Sequence, residues 1–185
     1  MLRSIPVLLA AALLAACSPA SEPFAAGGPV ILTVYGDVSD TNRGPVEPGL
    51  EPLFERYGMD FAAARSFTFS GLSAMEQTEI SVTYPDGGEP QRFTGPLVRD
   101  VLTAAGAEGE TAIVSAFDGY QRQIPGARFE DHDVILALTR NGEPLAIGGF
   151  GPAILVWPRD DDAALAGQND DDWVWGVFAI EIASE

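Results

Sequence analysis

The chain has 185 residues, with 27 acids against 10 basic residues and a formal charge of −17, and every basic residue is an arginine. A surface this acidic repels nucleic acid and anionic lipid headgroups, which excludes both as partners. A single cysteine, Cys17, leaves no intrachain disulfide, and the length suits one domain with a real core.

Residues 1–16 have the layout of a signal peptide: one charge at Arg3, an apolar run from Ile5 to Leu14, and small residues ahead of Cys17. The run is shorter than the roughly 20 apolar residues a membrane span needs. The stretch LAAC resembles the bacterial lipobox, which implies cleavage before Cys17, a diacylglyceryl group on its sulfur and an acylated (palmitate-bearing) amino terminus. Ser18, rather than an aspartate, follows the cysteine. In a Gram-negative lipoprotein that resembles the signal for transfer to the periplasmic face of the outer membrane. Cleavage would remove one arginine and no acid, leaving 27 acids and 9 arginines, a charge of 9 − 27 = −18. Residues 17–28, rich in Ser, Pro, Ala and Gly, read as a lipidated tether. The folded domain is expected over 29–185.

Val30 to Gly36 is a β-branched strand, closed by a polar turn from Asp37 to Gly44. Gly49 to Arg65 has the spacing of one or two short helices, with Leu50, Leu53, Phe54, Tyr57 and Phe61 on the apolar side. Glu79 to Tyr84 alternates as a strand and Pro85 to Gly88 turns the chain. Gly95 to Ala105 is the best helix, with Pro96 in its first turn and Gly106 ending it. Ala112–Ala116 and Tyr120–Pro125 form a hairpin around Asp118-Gly119, and Val134–Thr139 with Leu145–Ile147 a second around Asn141-Gly142. Ile154–Trp157 and Trp173–Ile182 add two strands on either side of an acidic loop. Strands interrupted by a few short helices predict an α+β fold built on a mixed β-sheet.

Phe93 to Leu102 (FTGPLVRDVL), Asp118-Gly119-Tyr120, Ile135-Leu136-Ala137, Asn141 to Leu145, Gly151-Pro152 and Val156-Trp157-Pro158 follow one another in the order and spacing of a known family. The chain resembles the oxidoreductase molybdopterin-binding domain, the sulfite oxidase type of fold, over most of its length from Val30. The resemblance implies a molybdenum–pterin cofactor with a cysteine thiolate on the metal, and transfer of oxygen atoms or electrons. It also implies an arginine soon after the Gly-Pro and a lysine before the last tryptophan, as donors to the pterin phosphate.

This sequence departs from that pattern at each point. Cys17 lies before the domain, so a lipidated Cys17 leaves no thiolate for a soft metal. Ile154 stands in GPAILVWP and Asp172 before Trp173, where cations are expected, and an acid there repels a phosphate. Arg3 is followed by Ser4, not by the second arginine of a signal for folded export. The expectation is therefore no bound cofactor, in a domain acting as a binding module for a small ligand or a periplasmic protein. The alternative is a molybdenum–molybdopterin-dependent oxidoreductase with an unusual set of metal ligands. The candidate cleft is Phe117, Asp118, Tyr120, Arg122, His132 and Arg140, with no catalytic or metal-binding residue assigned.

Other chemistry is weaker. Glu130-Asp131-His132-Asp133 holds the only histidine and reads as a polar strand mouth before it reads as a base or metal site. Asp160-Asp161-Asp162 and Asp170-Asp171-Asp172 lack the spaced ligands and central glycine of a calcium loop and read as a solvated acidic loop. Gly148-Gly149-Phe150-Gly151 has no helix start after it, which favours a bend where two backbones approach over a phosphate loop. No serine stands in a GxSxG elbow.

Overall fold

The computed structural model describes residues 27–184, so the expected signal peptide, Cys17 and most of the expected tether lie outside the described residues. Strand β1 (Val30–Gly36) forms as its β-branched run predicts, and its central residues are buried on both faces. The reason is its neighbours: β1 lies between β2 (Ala64–Thr68), antiparallel, and β11 (Val177–Ala183), parallel. Two more antiparallel strands, β5 (Thr111–Ala116) and β6 (Gln121–Pro125), complete a five-stranded mixed sheet in the order β2-β1-β11-β5-β6. A second sheet has the order β3-β4-β8-β9, from β3 (Thr78–Val82), β4 (Gln91–Gly95), β8 (Thr139–Arg140) and β9 (Glu143–Pro144). The fold is α+β, as expected.

A short ladder of β7 (Ile135–Ala137) with β10 (Ile154–Val156) joins the two sheets. Gly95 makes this junction possible: a Cβ there would lie 2.0 Å from the Leu136 carbonyl oxygen, so only a bare backbone lets β7 approach. Leu136 N–H donates to Pro96 O at 2.9 Å and Leu138 N–H to Thr94 O at 2.8 Å. On its other side β10 bonds the chain ahead of β11, with Leu155 N–H to Val174 O at 2.9 Å. The main core, including Leu32, Val114, Phe93, Phe129, Leu155, Trp157 and Trp173, fills the space around this junction. A smaller cluster of Tyr35, Phe54, Phe61 and Phe178 packs beneath α1 (Pro52–Arg56) on the outer face of the large sheet.

Several elements differ from expectation. Helix formation in residues 49–65 stops at α1, Gly58 has φ of +64°, and the chain then enters β2; Leu50 is exposed, not on the apolar side. A short helix α2 (Phe69–Ser73) follows, capped by Thr68 Oγ1 accepting from Gly71 N–H at 3.0 Å. The predicted helix at 95–105 is α3 (Val98–Ala104), because Gly95 belongs to β4. Another short helix, α4 (Ala127–Asp131), leads into β7. The expected strand at 134–139 divides at Leu138: β7 pairs with β10 and β8 with β4. The Asn141-Gly142 hairpin is real, with φ of +54° and +86°, but its return strand is β9, not Leu145–Ile147. No helix among the described residues is long and apolar enough to cross a membrane.

Candidate functional site

The β5–β6 hairpin positions the first wall. Gly119 has φ of +93°, and the Tyr57 ring lies so close that an added Cβ would sit 2.9 Å from its Cε1. Tyr57 Oη donates to Phe117 O at 2.7 Å, fixing the tip, while Asp118 Oδ1 accepts from Tyr120 N–H at 2.9 Å. Tyr120 Oη then donates to Asp171 O at 2.9 Å and ties the hairpin to the acidic loop. Between them lies a cleft of about 290 Å³ lined by Tyr84, Asp118, Tyr120, Asp170, Asp171, Trp173 and Trp175.

Aromatic packing builds the back of this cleft. Tyr84, just past β3, stacks on Phe150 with centroids 5.4 Å apart and meets Trp173 edge-on at 5.4 Å and 86°. Burial raises the hydroxyl pKa of Tyr84, and the charges of Asp170 and Asp86 add to it. Burial does the same at Tyr120, with Arg122 opposing and the three aspartates at 170–172 reinforcing. Both phenols therefore stay neutral.

Beneath the cleft, Asp172 is buried and organises the cations. Its Oδ1 accepts from Arg122 Nε at 2.5 Å, its Oδ2 from Arg128, and its backbone oxygen from Trp157 Nε1 at 2.8 Å. Arg128 lies over the Trp157 ring, 4.2 Å from the centroid. Burial alone would raise the Asp172 carboxyl pKa, but the bonds from Arg128 and Arg122 outweigh it and hold it below the usual carboxylate range. Asp172 thus does not face a ligand as a free repelling charge. It holds the Arg122 and Arg128 guanidinium groups instead.

The six predicted cleft residues are divided. Asp118 and Tyr120 line the cleft. Arg140 lies in an adjoining cavity of about 490 Å³, over the Phe150 ring at 5.6 Å, and the two cavities share Trp175. Arg122 is held by Asp172. Phe117 lies in a separate apolar groove, stacked on Phe178 at 5.2 Å. His132 lies elsewhere: its Nδ1 bonds Asp162 Oδ2 at 2.6 Å and its ring packs beside Trp157. In the acidic loop Asp160, Asp161, Asp170 and Asp171 are exposed, as expected, while Asp172 is buried; Asp160 also accepts from Thr83 N–H at 2.8 Å and Asp162 from Ala164 N–H at 2.9 Å. At the glycine-rich segment the close backbone approach is present: a Cβ on Gly151 would lie 2.3 Å from Leu145 O. Sequence reasoning missed Tyr84, Trp173, Trp175 and Arg128; the alternation in Trp173-Val174-Trp175 was the available signal.

The mixed-sheet domain thus carries an aromatic cleft between the β5–β6 hairpin and the chain entering the last strand. The sequence matches the family described as the oxidoreductase molybdopterin binding domain over residues 58–159, more than half of the chain, and the protein belongs to that family. Its fold is similar to that of the sulfane dehydrogenase SoxCD from Paracoccus pantotrophus, with a TM-score of 0.56 and 19% identity. That similarity covers 83% of this chain and 38% of the other, so the chain spans well under half of that protein's length. No curated protein matches the sequence.

The residues present do not fit the family's cofactor. No cysteine occurs among the described residues, and no group of three or more His, Cys, Asp or Glu among them is placed to hold a metal ion. The thiolate ligand that the family resemblance implies therefore has no counterpart among the described residues, and the charged donors at this cleft are carboxylates. A pterin phosphate needs cations, yet the charged residues lining the cleft are Asp118, Asp170 and Asp171, and the nearby Arg122 is paired.

Proposed function

We propose that this protein is a lipoprotein, anchored through Cys17 to the periplasmic face of the outer membrane, whose molybdopterin-family domain has lost cofactor capture and serves as a binding module for a small ligand. The observation that carries this reading is the pairing of Arg122 and Arg128 with the single buried carboxylate of Asp172. The buried acid holds both guanidinium groups against the fold, and the charged residues lining the cleft itself are aspartates. Retention of the family fold without its donors fits a site whose cavity is kept for another occupant.

The test is to express the full chain in a host that makes the molybdenum cofactor and to measure molybdenum and oxidised-pterin fluorescence per protein. Values far below stoichiometric are expected. Near-stoichiometric values of both would restore a molybdenum-dependent oxidoreductase with an unusual set of metal ligands.

A further inference from the structure

We propose that the cleft binds a small organic cation, an alkylammonium that also carries an oxygen acceptor, in an aromatic cage. The inference rests on the reading that the cleft no longer takes the pterin cofactor, and it names the class of ligand that replaces it. Half-buried Tyr84 meets Trp173 edge-on at 86°, and Trp173, only 1% exposed, forms the buried floor behind it. Tyr120 and Trp175 line the same cleft and are each 43% exposed, which leaves their rings available to a ligand. Ring faces carry negative quadrupole potential, and a quaternary or alkylated ammonium is the charge that several rings together recognise.

Charge supports the same occupant. Asp118, Asp170 and Asp171 line the cleft with the rings, and Arg122, whose charge reaches Tyr120, is paired with Asp172. An anion would meet uncompensated carboxylates. A hard metal ion is also a poor match, because calcium needs several oxygens converging on one point and the described residues offer no such group. A diffuse organic cation needs no convergence: it takes ring faces at short range and carboxylates at longer range. The acceptor follows from Trp173, whose indole N–H is buried and unpaired among the described residues. A buried donor without a partner is costly, and a hydroxyl or carboxylate beside the cation would satisfy it after a small shift of the ring. The cleft of about 290 Å³ suits a ligand of this small size.

The experiment titrates the full chain, prepared in the cofactor-making host, with choline chloride while following tryptophan fluorescence. The neutral isostere 3,3-dimethyl-1-butanol and sodium chloride serve as probes of charge and of ionic strength. Choline should bind about tenfold or more tightly than the isostere, and exposed Trp175→Leu should weaken it by a similar factor. The double substitution Asp170→Asn, Asp171→Asn should weaken choline and leave the isostere unchanged, with circular dichroism verifying the fold. A cofactor-free protein that binds choline no better than the isostere overturns the cage alone. Stoichiometric molybdenum and pterin in the same preparation overturn the loss of the cofactor, and the cage with it.

Discussion

Arg122 donates from Nε to Asp172 Oδ1 at 2.5 Å, joining β6 to the chain ahead of β11 across 50 residues of sequence. Arg128 completes the arrangement from α4, so one carboxylate fastens the hairpin, a helix and the last strand around Trp157. Removing the carboxylate charge leaves two guanidinium groups to share one neutral carbonyl oxygen. Both arginine side chains are about a third exposed, which lets water recover part of the loss. Asp172→Asn is expected to destabilise the domain by about 1–3 kcal/mol, read as a lower midpoint in urea at unchanged slope. A midpoint within error of the parent would mean that the pairing does not hold the fold.

The same pairing predicts an acid limb. Asp172 has a pKa lowered on folding, so its contribution is present above the unfolded aspartate value of about 3.9 and is lost as pH falls from there through the lower folded value. Melting temperature should therefore be insensitive to this group near neutrality and should drop below about pH 4. In Asp172→Asn the drop should be shallower, because one of the carboxylates responsible is gone. Parallel acid limbs in parent and variant would assign the loss to other groups.

Gly119 combines a φ of +93° with a tyrosine ring against its α-carbon. Gly119→Val would force a β-branched residue into the left-handed region and against Tyr57, at a cost of about 1–3 kcal/mol. The loss should appear as a lower melting temperature, with a disturbed Tyr57–Phe117 bond altering the hairpin tip. An unchanged melting temperature would show that the turn tolerates a Cβ.

The hairpin was legible because its determinants are local: Gly119 takes φ above zero after a turn-forming aspartate, and the flanking strands alternate. The same is true of β1, whose bounds follow from its β-branched residues. Strand β4 was hidden because Phe93, Thr94 and Gly95 precede a proline and a helical pattern, while the reason for its pairing lies in β3 and in the distant β8. The site shows the same division. Asp118 and Tyr120 could be found from the turn that carries them. Asp172 could be singled out by its place before Trp173, but not its role, since its partners stand 50 and 44 residues away and no local spacing announces them.

The proposed anchor is tested at its nucleophile. Lipidation needs the sulfur of Cys17, and several acyl chains bind a membrane far more firmly than one. Cys17→Ser should move the protein from the membrane pellet to the soluble fraction and abolish incorporation of labelled palmitate. A variant that still pellets with outer membrane and carries the label would remove the lipobox from the account.

His132 provides the last case, where one residue has both a chemical and a structural reading. It ends α4, and its Nδ1 lies 2.6 Å from Asp162 Oδ2, while the other Asp162 oxygen caps the 3-10 turn Ala163–Leu165 through Ala164 N–H. That backbone bond, followed by the one to His132, holds the Asp162 carboxyl below its usual range. The pair braces two segments that approach beside Trp157 and reaches none of the residues lining the aromatic cleft. His132→Gln and Asp162→Asn should each lower the melting temperature, and the double variant should lose less than the sum, because the second change removes a bond already broken. Choline affinity should be the same in all of them. Additive losses would deny the brace, and a fall in choline affinity in His132→Gln alone would place the imidazole in the binding site.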